Sequence, residues 1–120
     1  MKSNREYTDY LQDILEALTK ARQFVKDVDF EAFHANDEKV FAVIRALEII
    51  GEAAKNIPKT IRGRYTDIPW EDIVGMRNKV IHNYFGVDLQ VIWKTLHKDL
   101  PPLQVAVAKI LEDHKKDHNT

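Results

Sequence analysis

Apolar residues return every three or four positions along nearly all of this 120-residue chain. Tyr7, Leu11, Ile14, Leu15, Leu18, Ala21, Val25 and Val28 form the first such series. Residues at these steps share one face of a helix, so the series predicts a long amphipathic helix from about Arg5 to Val28. Phe30 to His34 reads as a short turn or helical connector. Asn36 or Asp37 is suited to cap the next helix, whose stripe is Val40, Ile44, Leu47, Ile50 and Ala54, widened by Phe41, Val43 and Ile57. Pro58 marks its end and fits the first position of a short helix through Tyr65.

Asp67, Ile68 and Pro69 make a loop, and a fourth helix starts near Trp70 and runs to about Tyr84 through Ile73, Met76, Val80 and Ile81. Gly86 stops it and Asp88 caps the following one. That helix carries Leu89, Ile92, Trp93, Leu96 and Leu100, and Pro101 and Pro102 are expected to break or kink it. A final segment runs from Leu103 to Glu112, and residues 113–120 are expected to fray. No segment alternates like a strand, and Gly and Pro number only four each. The prediction is an all-α, antiparallel bundle of about five helices forming a single domain over residues 1–120.

Without cysteine, the chain has no disulfides, thiolate metal sites or cysteine nucleophiles. Its first ten residues are polar, unlike a signal peptide, and its apolar runs are too short for a membrane span. The expectation is a soluble, cytoplasmic protein without a membrane role. Net charge is −1, not the strongly basic footprint of a constitutive nucleic-acid binder. The charge is uneven, however. Residues 1–54 carry 7 basic and 11 acidic side chains, whereas residues 55–79 carry 6 basic and 3 acidic ones. Within that basic stretch Arg62, Arg64 and Lys79 are candidate contacts to an RNA backbone; the plainer reading is ordinary solvated surface.

The basic stretch leads into Gly75-Met76-Arg77-Asn78-Lys79-Val80-Ile81-His82-Asn83-Tyr84-Phe85-Gly86. This short helix carries many polar groups and few apolar ones, which suggests a site. On an ideal helix Arg77 and Tyr84 lie almost on one line, while Arg77 and His82 are about 140° apart. One helix does not easily aim both at one phosphate. Two copies facing each other across a two-fold axis can, which favours a composite site in a homodimer. There is no carboxylate pair, metal-ligand spacing or nucleophile elbow. What remains is an imidazole that titrates near neutral pH and a cation that grips phosphate bidentately. That pair suits RNA cleavage, because the 2′-OH supplies the nucleophile and neither metal nor cofactor is called for; DNA lacks that group. Asn78 is a candidate to orient His82, one turn away. The plainer alternative is a salt-bridged arginine, a hydrogen-bonded histidine and a surface asparagine.

Arg77, four residues, His82, one residue and Tyr84 resemble the signature of HEPN ribonucleases in the HepT branch. The flanks agree: Ala42 to Lys55 resembles the family's second helix, Ile68 to Asn78 the start of its motif helix, and Tyr84 to Asp88 the exit from it. The resemblance covers nearly the whole chain, least distinctively at the N-terminal helix. It implies a homodimeric, metal-independent endoribonuclease, the toxin of a type VII toxin–antitoxin pair, acting on tRNA or mRNA with catalytic Arg77 and His82. It further implies a minimal nucleotidyltransferase antitoxin that attaches AMP to the motif tyrosine, here Tyr84, and silences the enzyme. Glu52, in the second-helix tract, is a weaker candidate for a site-facing support. Two other functions stand beside this one: a non-catalytic helical dimer that binds a nucleotidyltransferase, and a plain structural dimer. Trp70 and Trp93 read as core or dimer anchors rather than base-stacking platforms, and His97 as structural. His114 and His118 have a spacing that can bind metal, but no third ligand is evident.

Overall fold

The computed structural model describes residues 5–76, 78 and 88–118, the last without its side chain. The expected helical bundle is what forms, with no strand among the described residues. Helix α1 spans Tyr7–Phe24, α2 Phe30–His34, α3 Asp37–Lys55, α4 Lys59–Arg64 and α5 Trp70–Val74. After residues outside this description come α6, Leu89–Lys94, a π-helical turn over Thr95–Asp99, and α7, Leu100–His118.

Local chemistry sets the helix starts. The Glu6 N–H donates to the Asp9 carboxylate at 2.9 Å, half of a capping box. Asp29 accepts from the Ala32 N–H at 2.8 Å. Of the two candidates ahead of α3, Asn36 is the cap, taking the Lys39 N–H at 3.0 Å. Asp88 caps α6 by accepting from the Val91 N–H at 3.3 Å. Pro58 sits at the N-cap of α4, one residue before the helical position expected for it.

Tertiary contacts fix the helix directions. Lys39, at the start of α3, donates from Nζ to the carbonyl of Phe24, the last residue of α1, at 2.9 Å. Those two helices therefore run antiparallel. Tyr7 at the start of α1 bonds His114 near the end of α7 at 2.8 Å, while Arg22 near the end of α1 reaches Gln104 near the start of α7. That pair is antiparallel too. Between them lies one continuous apolar cluster, in which Leu11, Leu18, Phe33, Leu47, Ile50 and Leu100 are essentially inaccessible to water. Each such side chain contributes on the order of 1.5–3 kcal/mol by leaving water.

The structure departs from the sequence expectations at several further places. Helix α1 stops at Phe24 rather than Val28, because the chain turns through Asp27, held at φ 60° in a left-handed conformation that aspartate tolerates better than most residues. Phe41 belongs to the outer face of α3, with 56% of its surface exposed. Pro101 and Pro102 do not break the helix. They fall in the first turn of α7, where a missing N–H costs little, and the turn before them is widened so that the Leu100 N–H reaches the Thr95 carbonyl. An i→i−5 turn makes room for rings that would otherwise strike the preceding carbonyls. Finally, α7 continues beyond Glu112 to His118. Tyr65 and Tyr7 hold Asp113 and His114 in place, so the stretch expected to fray is helical as far as it is described.

Candidate active site

The motif helix starts from a rigid base. Trp70 is buried, and its indole N–H donates to the Tyr65 carbonyl at 3.1 Å. Ile73 and Met76 follow at three-residue steps and are also buried. Helix α5 packs on α3 but ends at Val74, with Gly75 as its C-cap, so the single helix expected from Trp70 to about Tyr84 is interrupted at Gly75 before the chain turns helical again at Met76. Asn78 is helical and exposed, as expected for a residue about 200° around the axis from Met76. Arg77, Lys79, His82 and Tyr84 lie outside the described residues, as do Val80, Ile81 and Gly86.

The supporting residues divide. Glu52 is exposed on α3 and lines an open groove of about 470 Å³ with Arg5, Tyr10, Asp13, Arg45 and Glu48. The described walls of that groove come from α1, α3 and their flanks. Its cations are already engaged: Arg5 lies 2.8 Å from Asp13 and over the Tyr10 ring, and Arg45 lies 3.6 Å from Glu48.

Arg62 is spent on the fold. Its Nε–H donates to the Ile57 carbonyl at 3.0 Å, and Nη2 reaches the carbonyls of Ala54 at 2.9 Å and Lys55 at 3.3 Å. A cation here satisfies carbonyls that the end of α3 leaves open and complements its dipole. Arg64 is exposed and makes no ion pair among the described residues. Lys55 and Lys59 share this state, although neither was singled out as a contact from sequence. The signal was available: from Lys55 to Thr66 there are four cations and no carboxylate.

Trp70 is a core residue, and Trp93 is half-buried among Phe30, Phe33 and the His97 ring, whose centroid is 4.2 Å away. His97 also bonds the Trp93 carbonyl at 2.9 Å, in keeping with a structural role. The shifted titrations lie in a clasp at the end of α7. Burial first, then the hydrogen bond to Asp113 and the charge of that carboxylate, push the Tyr65 hydroxyl up to about 12. The same hydrogen bond, with help from Lys109, holds Asp113 below the usual carboxylate range. Among the described residues no cluster of His, Cys, Asp and Glu is placed to hold a metal ion, and no helix is long and apolar enough to cross a membrane.

Comparison with known proteins places this geometry. Residues 14–110 match the family described as Ribonuclease HepT-like. The chain is 47% identical to the "Probable ribonuclease HepT" of Thermococcus cleftensis, over 88% of this chain and 96% of that protein. It is 44% identical to "Putative RNase MJ0125" of Methanocaldococcus jannaschii, over 91% and 94% of the two chains. It is 42% identical to "Putative RNase TTE0752" of Caldanaerobacter subterraneus, over 96% and 100%. No solved structure matches.

Proposed function

Because this chain belongs to the HepT-like ribonuclease family, we propose that it is an endoribonuclease that cuts RNA without a metal ion. The observation that carries the reading is a match that runs through the whole motif segment, joined to an entry into that segment anchored by buried Trp70, Ile73 and Met76. Asn78, two residues on, is exposed.

In this reaction the ribose 2′-oxygen attacks the adjacent phosphorus and the 5′-oxygen leaves. The products are a 2′,3′-cyclic phosphate and a 5′-hydroxyl. His82 takes the proton from the 2′-OH or gives one to the leaving oxygen, and a dimer offers two such histidines. Arg77 grips the phosphate and neutralises the charge that grows on it in the transition state. Asn78 orients His82. The two copies of the helix face each other, so that an arginine from one and a histidine from the other line one cleft.

Regulation follows from the same helix. A nucleotidyltransferase partner attaches AMP to the Tyr84 oxygen, and the added phosphate occupies Arg77 and blocks the cleft. In that setting the chain is the toxin of a toxin–antitoxin pair in the cytoplasm. The test is cleavage of RNA by unmodified protein in EDTA. The expected products carry a 2′,3′-cyclic phosphate, and His82→Ala abolishes them while keeping the fold. Absence of cleavage by the wild type across buffers overturns the reading.

A further inference from the structure

One described surface of the molecule carries cations from a stretch, Lys55 to Thr66, that holds no carboxylate. It is built where α3 ends and α4 begins. Lys55, Lys59 and Arg64 are all exposed, and none pairs with a carboxylate among the described residues. Arg62 draws the two helices together, because its guanidinium reaches the Lys55 carbonyl at 3.3 Å. The end of α3, with Lys55, and α4, with Lys59 and Arg64, are therefore tied together at one corner. By contrast, residues 1–54 are net acidic.

An open groove of about 570 Å³ runs beside this corner, lined on one side by Lys59, Arg62 and Gly63 and on the other by Trp70, Glu71 and Asp72. The groove thus joins the cationic corner to the first turn of the helix that leads to Arg77. Gly63 adds a second, independent observation. It lies in the short helix α4, and a Cβ built on it meets nothing within 4 Å. Neither a turn nor a neighbour in the fold requires glycine there, while glycine weakens a helix. A bare backbone beside an open groove that Lys59 lines is what a closely approaching ligand uses.

We infer that Lys55, Lys59 and Arg64 form a phosphate track that holds the RNA backbone along α4, with Gly63 as its point of closest approach. This rests on the ribonuclease reading and adds how the substrate is held. Glu71 and Asp72 repel phosphate, so they confine the strand to the α4 side of the groove. Arg62 acts as the scaffold of the track rather than as one of its contacts. An RNA backbone fits better than a neutral ligand, because three exposed cations with no ion pair among the described residues match a polyanion.

The test measures binding of a labelled single-stranded oligouridine to the His82→Ala protein across a salt series. Each lost phosphate contact on a single strand flattens the log–log salt slope by about 0.7. The triple variant Lys55→Gln/Lys59→Gln/Arg64→Gln is expected to weaken binding about tenfold or more at low salt and to flatten the slope by about 2. Gly63→Glu, whose Cβ enters open space, is expected to weaken binding too. The control Lys20→Gln/Lys26→Gln/Lys115→Gln makes the same charge change elsewhere and is expected to leave the slope in place. An unchanged slope in the triple variant, or an equal effect in the control, overturns the track. So does a triple variant that binds RNA normally but fails to bind the nucleotidyltransferase, which would make the corner a protein interface. Cleavage by protein that keeps His82 separates the two readings. If wild type binds RNA through the track but never cuts it, the enzyme reading fails alone. If the triple variant cuts with unchanged KM, the track fails alone.

Discussion

The Tyr65 hydroxyl donates to the Asp113 carboxylate at 2.8 Å, joining the link after α4 to the last turns of α7. Lys109 reaches the same carboxylate oxygen at 3.1 Å. Tyr65 also receives the Trp70 indole on its carbonyl, so one residue braces both the end of the bundle and the start of the motif helix.

This clasp has a defined pH dependence. Asp113 titrates below its ordinary range, so its stabilising effect is present above that range and is lost as pH falls through the lowered value. Tyr65 is raised to about 12, so its effect is present below about 10 and is lost as pH rises towards 12. Thermal melts of wild type and Tyr65→Phe across pH check this. The wild type is expected to melt higher near neutrality, with the gap narrowing in acid and again above about pH 10. A gap independent of pH would remove the clasp from the account.

Arg62 should prove structural. Arg62→Ala leaves carbonyls of Ala54, Lys55 and Ile57 without their donor, and charge-assisted bonds of this kind carry roughly 1.5–3 kcal/mol. Urea denaturation is expected to show a loss of about that size. Arg62→Lys is expected to recover only part of it, since one ammonium cannot match the planar fork.

The two described glycines of the α4–α5 region should respond oppositely to alanine. At Gly63 the methyl enters open space, and Gly63→Ala is expected to stabilise by roughly 0.4–1 kcal/mol through the unfolded chain. At Gly75 the methyl would lie 3.2 Å from the Glu71 carbonyl oxygen, and Gly75→Ala is expected to destabilise. Denaturation midpoints decide both.

Phe33 anchors the short helix α2 with none of its surface exposed, in contact with Trp93. Phe33→Ala is expected to cost roughly 3–5 kcal/mol, read as a lower denaturation midpoint with an unchanged fold by circular dichroism.

These particulars show what a one-dimensional pattern carries. The α1 and α3 stripes were legible because a three- to four-residue period is local, and the Asn36 and Asp88 caps because a cap bonds only three residues ahead. Phe41 misled because α3 is buried over a broad arc, and its apolar residues alone do not mark where that arc ends. The helical run through Pro101 and Pro102 was hidden because a π turn is a compromise between local strain and the packing on either side. The continuation to His118 depended on Tyr65 and Tyr7, far away in sequence. Arg62 read as a candidate RNA contact because its target carbonyls become visible only once α4 folds back on α3. Arg77, His82 and Tyr84 lie outside the described residues, so their reading rests on residue type and spacing.

The central claim is that Arg77 and His82 cut RNA in a cleft shared by two copies of the chain. Its most direct test is complementation in EDTA between Arg77→Ala and His82→Ala proteins, each inactive alone. Random mixing makes about half the dimers mixed, each with one intact Arg77 and one intact His82 in the shared cleft, so activity is expected to return in the mixture. Mixtures that stay inactive while wild type cleaves would contradict the shared cleft, and either single variant cutting as well as wild type would contradict the chemistry.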